Sequence, residues 1–307
     1  VKDEQGAPLR YRLNGLRVMA ITVGLYLLGG LLGLYPWDYL YIHRWESALT
    51  ACALGLAFTA AIVFTAPPRG PLLADLYLGR RDNPRILGGH VDAKMFLYVI
   101  GAVVLELNLL ACLAHHWLLH PGDPSPGMFL HVGLFSFFLC EYLYFERVHL
   151  YTYDLFAERV GFKLGWGCLC FYAFFYAVGA WSLAAAPNPH TSLSGLLLSA
   201  AVFFAGWVLA RGANLQKYHF KRAPDRPAFG LLCLVVVGAC GLFVANLRRS
   251  PTGLRWLAVR ANERAAAAAD DLVYDLFSGV GTITLFVSGH AKRVLGLELD
   301  EIGRAHV

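Results

Sequence analysis

Seven runs of apolar residues, each close to the length needed to cross a bilayer, dominate the chain: 16–35, 46–66, 95–119, 127–145, 164–186, 191–210 and 229–247. A transmembrane helix needs roughly 20 such residues. Within the hydrocarbon every backbone N–H and C=O must find a partner in the chain itself, which leaves helices as the form for spans of this length. The expected fold is an all-α polytopic membrane protein with six to seven transmembrane helices. The second and sixth runs are rich in Ala, Gly and Ser, which suits close helix packing in lipid. Trp37, Tyr39, Tyr41 and Trp45 cluster between the first two runs, as an interfacial aromatic belt would.

Charge distribution orients the spans. Charged residues make up 15% of the chain, against about 25% in a soluble domain. The cations alternate by loop. Lys2, Arg10 and Arg12 precede the first run, and only Arg44 follows it. Arg69, Arg80, Arg81 and Arg85 lie in 67–93, Arg147, Arg159 and Lys163 in 146–163, and Arg211, Lys217, Lys221, Arg222 and Arg226 in 211–228. Residues 120–126 and 187–190 carry neither Lys nor Arg. The positive-inside rule then places the N-terminus and the even-numbered loops in the cytoplasm. The net charge of +5 is spread over these loops, which argues against nucleic acid as a partner of the membrane part. The seven cysteines form no C-x-x-C pair, so neither a zinc site nor a disulfide framework is expected. His115, His116 and His120 have no acidic residue at ligand spacing, and no metal site is expected there.

Residues 141–163 stand out between two apolar runs. They carry Glu141, Glu146, Arg147, Asp154, Glu158 and Arg159, with Tyr142, Tyr144, Tyr151, Tyr153 and His149 among them. Charges next to lipid need a wet cavity, a partner or an interface. Tyr142 and Tyr144 lie toward the membrane end of the fourth run. Asp154 and Glu158 are four apart, the spacing of one helical face. These four are the candidate catalytic groups, since a buried acid can be kept protonated by desolvation. The same residues also suit a structural salt-bridge network and an aromatic belt. Glu106 and Asn108 sit mid-span and must face the bundle interior, as cavity groups or as interhelical glue. Asn83, Arg85, Asp92 and Lys94 are expected to fix a cytoplasmic loop.

Four stretches carry a family resemblance: YRLNGLR (11–17), LYLGRRDNPRI with DAKMF (76–96), LYTYDLFAERVGFKLGWG (150–167) and ANLQKYHFKR (213–222). Together, in order and spacing, they resemble the sterol reductase family, which includes the Δ14- and Δ7-sterol reductases and the membrane domain of the lamin B receptor. The resemblance covers about residues 9–230. It implies reduction of a sterol ring C=C bond by a hydride from NADPH and a proton from the protein, with a sterol or related polycyclic lipid as substrate. A cofactor with phosphates needs basic side chains at the cytoplasmic face. By the resemblance these are Lys217, Lys221 and Arg222, with Asn214 and Gln216. The family usually has Arg where this chain has Lys221, which weakens bidentate phosphate contact but keeps the charge. On spacing alone the same cations could be a positive-inside anchor.

The resemblance stops before the chain does. The family's later Ser-Gly-Trp-Trp-Gly-like loop and Arg-His-x-Asn-Tyr motif have no counterpart in 231–307. Residues 271–300 resemble instead the opening of a class I S-adenosylmethionine-dependent RNA uracil-5 methyltransferase. The pattern is a strand at 273–276 ending near Asp275, a turn with Gly279 and Gly281, and a second strand ending at Glu298. These would be a vestigial S-adenosylmethionine set, in a short incomplete α/β, Rossmann-like fragment. The expected organisation is a truncated sterol reductase-like membrane domain over 1–230, a junction with a possible seventh span over 231–260, the βαβ fragment over 261–300, and a sequencing artefact over 301–307. A reading frame joined from two genes is the leading account, with a true fusion as the alternative, and the chain as encoded is expected to be inactive. Rival readings are an RNA methyltransferase and a non-catalytic sterol-binding membrane domain.

Overall fold

The first six apolar runs are helices, in the order the sequence predicts. The computed structural model describes residues 9–222, 272–275 and 293–296, and the chain divides into two units, Val1–Phe229 and Gly230–Val307. In the first unit α1 (Gly15–Leu31) is followed by the short α2 (Tyr39–Ile42), by α3 (Arg44–Val63) and by α4 (Leu72–Leu78). A small antiparallel hairpin, β1 (Arg85–Ile86) with β2 (Val91–Asp92), leads into α5 (Ala93–Leu119) and α6 (Pro126–Tyr144). The turns α7 (Glu146–His149) and α8 (Tyr153–Phe156) cross the charged stretch. A composite span follows: α9 (Phe162–Trp166), a π-helical segment (Gly167–Tyr172), a 3-10 turn (Phe175–Ala177) and α10 (Val178–Ala184). The last described helix of this unit is α11 (Leu193–Arg222). Among the described residues, five spans are long and apolar enough to cross a membrane, and α1 is a shorter apolar helix.

α5 is the axis of the bundle. It starts where Asp92 accepts the Met95 N–H at 3.0 Å, the usual way to satisfy an open helix N-terminus. Its buried face packs against α1, α6 and the composite span. Gly101 lets the π segment approach, since a Cβ there would come within 2.6 Å of the Cys168 carbonyl. Asn108, about two turns further along α5, donates to the Ala173 carbonyl at 3.1 Å, beside the break in that span. Of the two readings open for Asn108, interhelical glue is the one its contacts match. Gly55 of α3 packs on Trp166, and Gly165 of α9 on Thr59, so small residues do bring α3 and α9 together.

The sixth run differs from this expectation. Gly206 and Gly212 of α11 have open space where a Cβ would be. α11 meets α6 through large groups instead, with Phe137 edge-on to Phe203, Phe204 and Trp207. The aromatic belt is also partial. Trp45 and Tyr39 are exposed, but Tyr41 is buried and stacks on His115 at 4.0 Å. His115 is held by Asp38 at 2.8 Å, an acidic partner 77 positions away that spacing along the chain does not reveal.

The second unit contributes two described strands, β3 (Leu272–Asp275) and β4 (Arg293–Gly296), paired in parallel with Leu272 opposite Arg293 and Asp275 opposite Gly296. Parallel pairing requires a crossover connection. Asp275 closes β3. Gly279, Gly281 and Glu298 lie outside the described residues, as do the seventh apolar run and residues 301–307.

Candidate functional site at the N-terminal end of α5

The four family-like motifs meet around the start of α5. Tyr11 of the first donates its hydroxyl proton to Asp92 at 2.9 Å. Gly15 of the same motif packs against Glu146, donating its N–H at 3.0 Å. The second and third motifs cross backbone on backbone. Gly79 has φ +93, and a methyl on Gly79 or Gly161 would collide with the other strand's main chain. Val160 donates there to the Arg81 carbonyl at 2.9 Å. Lys94, 1% exposed, sends its ammonium to the Leu155 carbonyl at 3.2 Å. It is therefore an interior cation and not the loop charge its place in the sequence suggests. Lys221 of the fourth motif donates to the Tyr151 carbonyl at 3.3 Å.

At the centre lies an aromatic and ionisable cluster. Tyr98 of α5 donates to the Asp154 carboxylate at 2.8 Å. Its ring stacks with Tyr142 at 6.0 Å and with His149 at 6.4 Å. Tyr142 and His149 lie 4.0 Å apart, and Tyr172 closes the cluster edge-on to Tyr142. The His149 Nε2 is 3.0 Å from the Tyr142 carbonyl oxygen. Burial pushes the His149 imidazole down to about 4, so it is neutral near pH 7. Burial, with the Asp154 carboxyl nearby, pushes Glu158 up against the pull of Lys163, which sits 2.7 Å away. The cluster is thus an assembly of partly to fully buried aromatic and ionisable groups, next to the end of an apolar bundle.

The candidates predicted from sequence separate on this geometry. Tyr142 and Asp154 lie in the cluster. Glu158 borders it through Asp154, but the two do not share a helical face, because α8 ends at Phe156 and the backbone turns at Ala157. The turn follows from the crossing at Gly161, which pulls the chain out of helix. Tyr144 is 68% exposed and packs edge-on to Phe145, away from the cluster. Asn214, Gln216, Lys217, Lys221 and Arg222 all lie in the last turns of α11. Lys217 and Lys221 are exposed, whereas Arg222 turns its guanidinium onto the Tyr218 ring and hydroxyl. Sequence reasoning left out Tyr98, two residues beyond DAKMF inside an apolar run, and named His149 in the charged stretch without making it a candidate. It also counted Arg211 as a loop cation. Arg211 instead forms a buried double ion pair with Glu141 of α6, with Nη2 2.6 Å from Oε2 and the guanidinium over the Phe145 ring.

A helical membrane bundle with an aromatic and ionisable cluster at one end, next to exposed cations on its last described helix, is the class of protein these features define. The chain belongs to the Ergosterol biosynthesis ERG4/ERG24 family, whose profile matches residues 1–244. It is 31% identical over 246 residues to a Delta(14)-sterol reductase of Methylotuvimicrobium alcaliphilum, covering 75% of this chain and 55% of the relative. It is 32% identical over 235 residues to one of Mus musculus, covering 72% and 54%. It is 26% identical over 249 residues to one of Arabidopsis thaliana, covering 76% and 65%. The chain thus spans about half to two thirds of the length of these relatives. The resemblance read from the four motifs is borne out at the level of the family.

Proposed function

We propose that this chain carries the proton-handling and sterol-facing part of an NADPH-dependent reductase of a sterol ring C=C bond. The contact between Lys221 and the Tyr151 carbonyl carries the reading. It links the basic end of α11 to the loop that bears Asp154, so cations suited to phosphate and groups suited to protonation share one neighbourhood. The Delta(14) designation of the relatives named above favours the Δ14 bond over Δ7.

The residues present fit a phosphate-bearing cofactor. The exposed ammoniums of Lys217 and Lys221 stand one helical turn apart, on one face. Lys217 and Lys221 would meet the phosphates, with Asn214 and Gln216 beside them. NADPH, when bound, supplies the hydride. Asp154 and the Tyr98 hydroxyl hold the proton that completes the saturation, and stacking on Tyr142 and His149 fixes the Tyr98 ring. The neutral imidazole of His149 adds no charge of its own to the cluster. In this reading the N-terminus and the α11 end face the cytoplasm, as the alternation of Lys and Arg supports.

The test is a graft in which residues 1–244 are followed by the remaining C-terminal length of the Methylotuvimicrobium reductase. NADPH-dependent loss of a Δ14 sterol double bond is followed by mass spectrometry. The graft is expected to turn over and the 307-residue chain is not. Asp154→Asn and Tyr98→Phe should each cost on the order of a hundredfold, the usual range for a general acid. Full activity in both variants would refute the assignment. Sterol binding without turnover in every version would favour the non-catalytic rival.

A further inference from the structure

A cavity of about 1070 Å³ lies between α1, the β1–β2 hairpin and α5, apart from the cluster around Asp154. Its walls are two helical stripes. Val18 and Thr22 are one turn apart on α1, while Phe96, Ile100, Val103 and Leu107 recur at three- to four-residue intervals on α5. From Met95 to Leu107 the α5 stripe runs about 18 Å at 1.5 Å per residue. The mouth is cationic: Arg10, Arg12 and Arg85, all exposed, with His90 beside them. Among the described residues none of these three arginines has a carboxylate in ion-pair range. Two acids face the same cavity, Asp92 and Glu146, and both are occupied. Asp92 accepts from Tyr11 and Met95, and Glu146 accepts from Gly15. Burial also pushes the Glu146 carboxyl up, which reduces its repulsion of an anion.

We propose that this groove holds an anionic membrane phospholipid, its acyl chain between α1 and α5 and its phosphate among Arg10, Arg12 and Arg85. The shape of the site selects the ligand. An apolar slot of this length needs a chain of comparable length, which a free phosphate lacks. Three arginines at the mouth need a negative headgroup, which a sterol lacks. Arginine suits the task because its planar fork meets two phosphate oxygens at once. The mouth lies where the positive-inside reading puts the anionic cytoplasmic leaflet. The site would also tie the N-terminal segment to the hairpin, since Tyr11 and Arg12 of one and Arg85 and Asp92 of the other line the same mouth.

Native mass spectrometry of the full chain in neutral detergent tests this, with phosphatidylglycerol and phosphatidylcholine offered at equal concentration. One phosphatidylglycerol is expected to be retained in preference to phosphatidylcholine. The double substitution Arg12→Gln with Arg85→Gln should weaken retention roughly 30-fold, at about fivefold per arginine near a charged lipid. Ile100→Trp, which fills the slot and leaves the charges alone, should abolish retention while helicity by circular dichroism is unchanged. Three outcomes would overturn the proposal. They are equal retention of both lipids, retention that survives Ile100→Trp, and displacement by inorganic phosphate. Preferential retention of an uncharged sterol, indifferent to the arginine substitutions, would overturn it as well and make the groove a sterol site.

Discussion

The buried pair of Glu141 and Arg211 gives the sharpest test of how α11 is held. The guanidinium donates through two nitrogens to the two carboxylate oxygens, lies over the Phe145 ring, and is buried on both sides. No other charged contact among the described residues joins α11 to α6. Removing one partner leaves a charge in a low-dielectric site, at about 3–5 kcal/mol. Replacing both with apolar groups of similar volume is often neutral or stabilising. Glu141→Ala should therefore lower the resistance of the purified protein to denaturation by SDS, with an equilibrium shift of more than a hundredfold. Glu141→Met with Arg211→Met should recover most of it. The assay is helicity followed against the mole fraction of SDS in mixed micelles, with Glu141→Met, Arg211→Met and the double variant closing a cycle. If Glu141→Ala and the double variant are equally labile, the pair does not act as a unit and the argument fails. Because α11 bears Lys217 and Lys221, the single variant should also weaken NADPH binding by the proposed site, and the double variant should restore it.

Three further outcomes follow from the same geometry. Gly161→Ala and Gly79→Ala each put a methyl into the crossing of two motifs. At Gly79 the backbone (φ 93, ψ 167) is one essentially only glycine adopts, at about 1–3 kcal/mol for another residue, so both variants should show lower detergent-extractable yield than Gly167→Ala, whose Cβ would meet nothing. His149 is neutral in the fold, with its value pushed down from 6.5 to about 4. The unfolded chain binds the extra proton between these values, so this contribution is complete above about pH 6.5 and is lost as the pH falls toward 4. It is worth up to about 3 kcal/mol at 1.36 kcal/mol per pH unit. His149→Gln should flatten denaturation midpoints across that window. Burial raises the Asp75 carboxyl, but bonds from Arg80 and from the Arg69 and Gly70 backbone outweigh it and hold it below its ordinary value. Its stabilisation is present above the unfolded value of 3.8 and is lost as the pH falls through the folded one. Asp75→Asn should therefore change the acid limb below the His149 window and leave the window itself unaltered.

The helical spans could be read before any coordinates because lipid leaves a backbone few choices. The first six runs of about 20 apolar residues are helical at the expected places, and alternating cations pointed to a consistent orientation. The four motifs named the family because they keep their order along the chain, whatever the contacts between them. Asp154 and Tyr142 could be picked out because charge and tyrosine are conspicuous between spans. Tyr98 could not, since a tyrosine within an apolar run looks like any other wall residue until Asp154 is seen 2.8 Å away. The helical spacing of Asp154 and Glu158 misled for the same reason. Only the crossing at Gly161 ends the helix between them, and that crossing depends on Gly79, 82 positions earlier. Arg211 and Lys94 were read as surface cations because a sequence gives their charge but not their partner. One-dimensional patterning in the chain thus determines that it enters a membrane, where its described spans lie, and what family it joins. Which side chains face one another at the ends of those helices was decided by tertiary packing, because ion pairs, stacking and backbone crossings join residues that pattern along the chain does not relate.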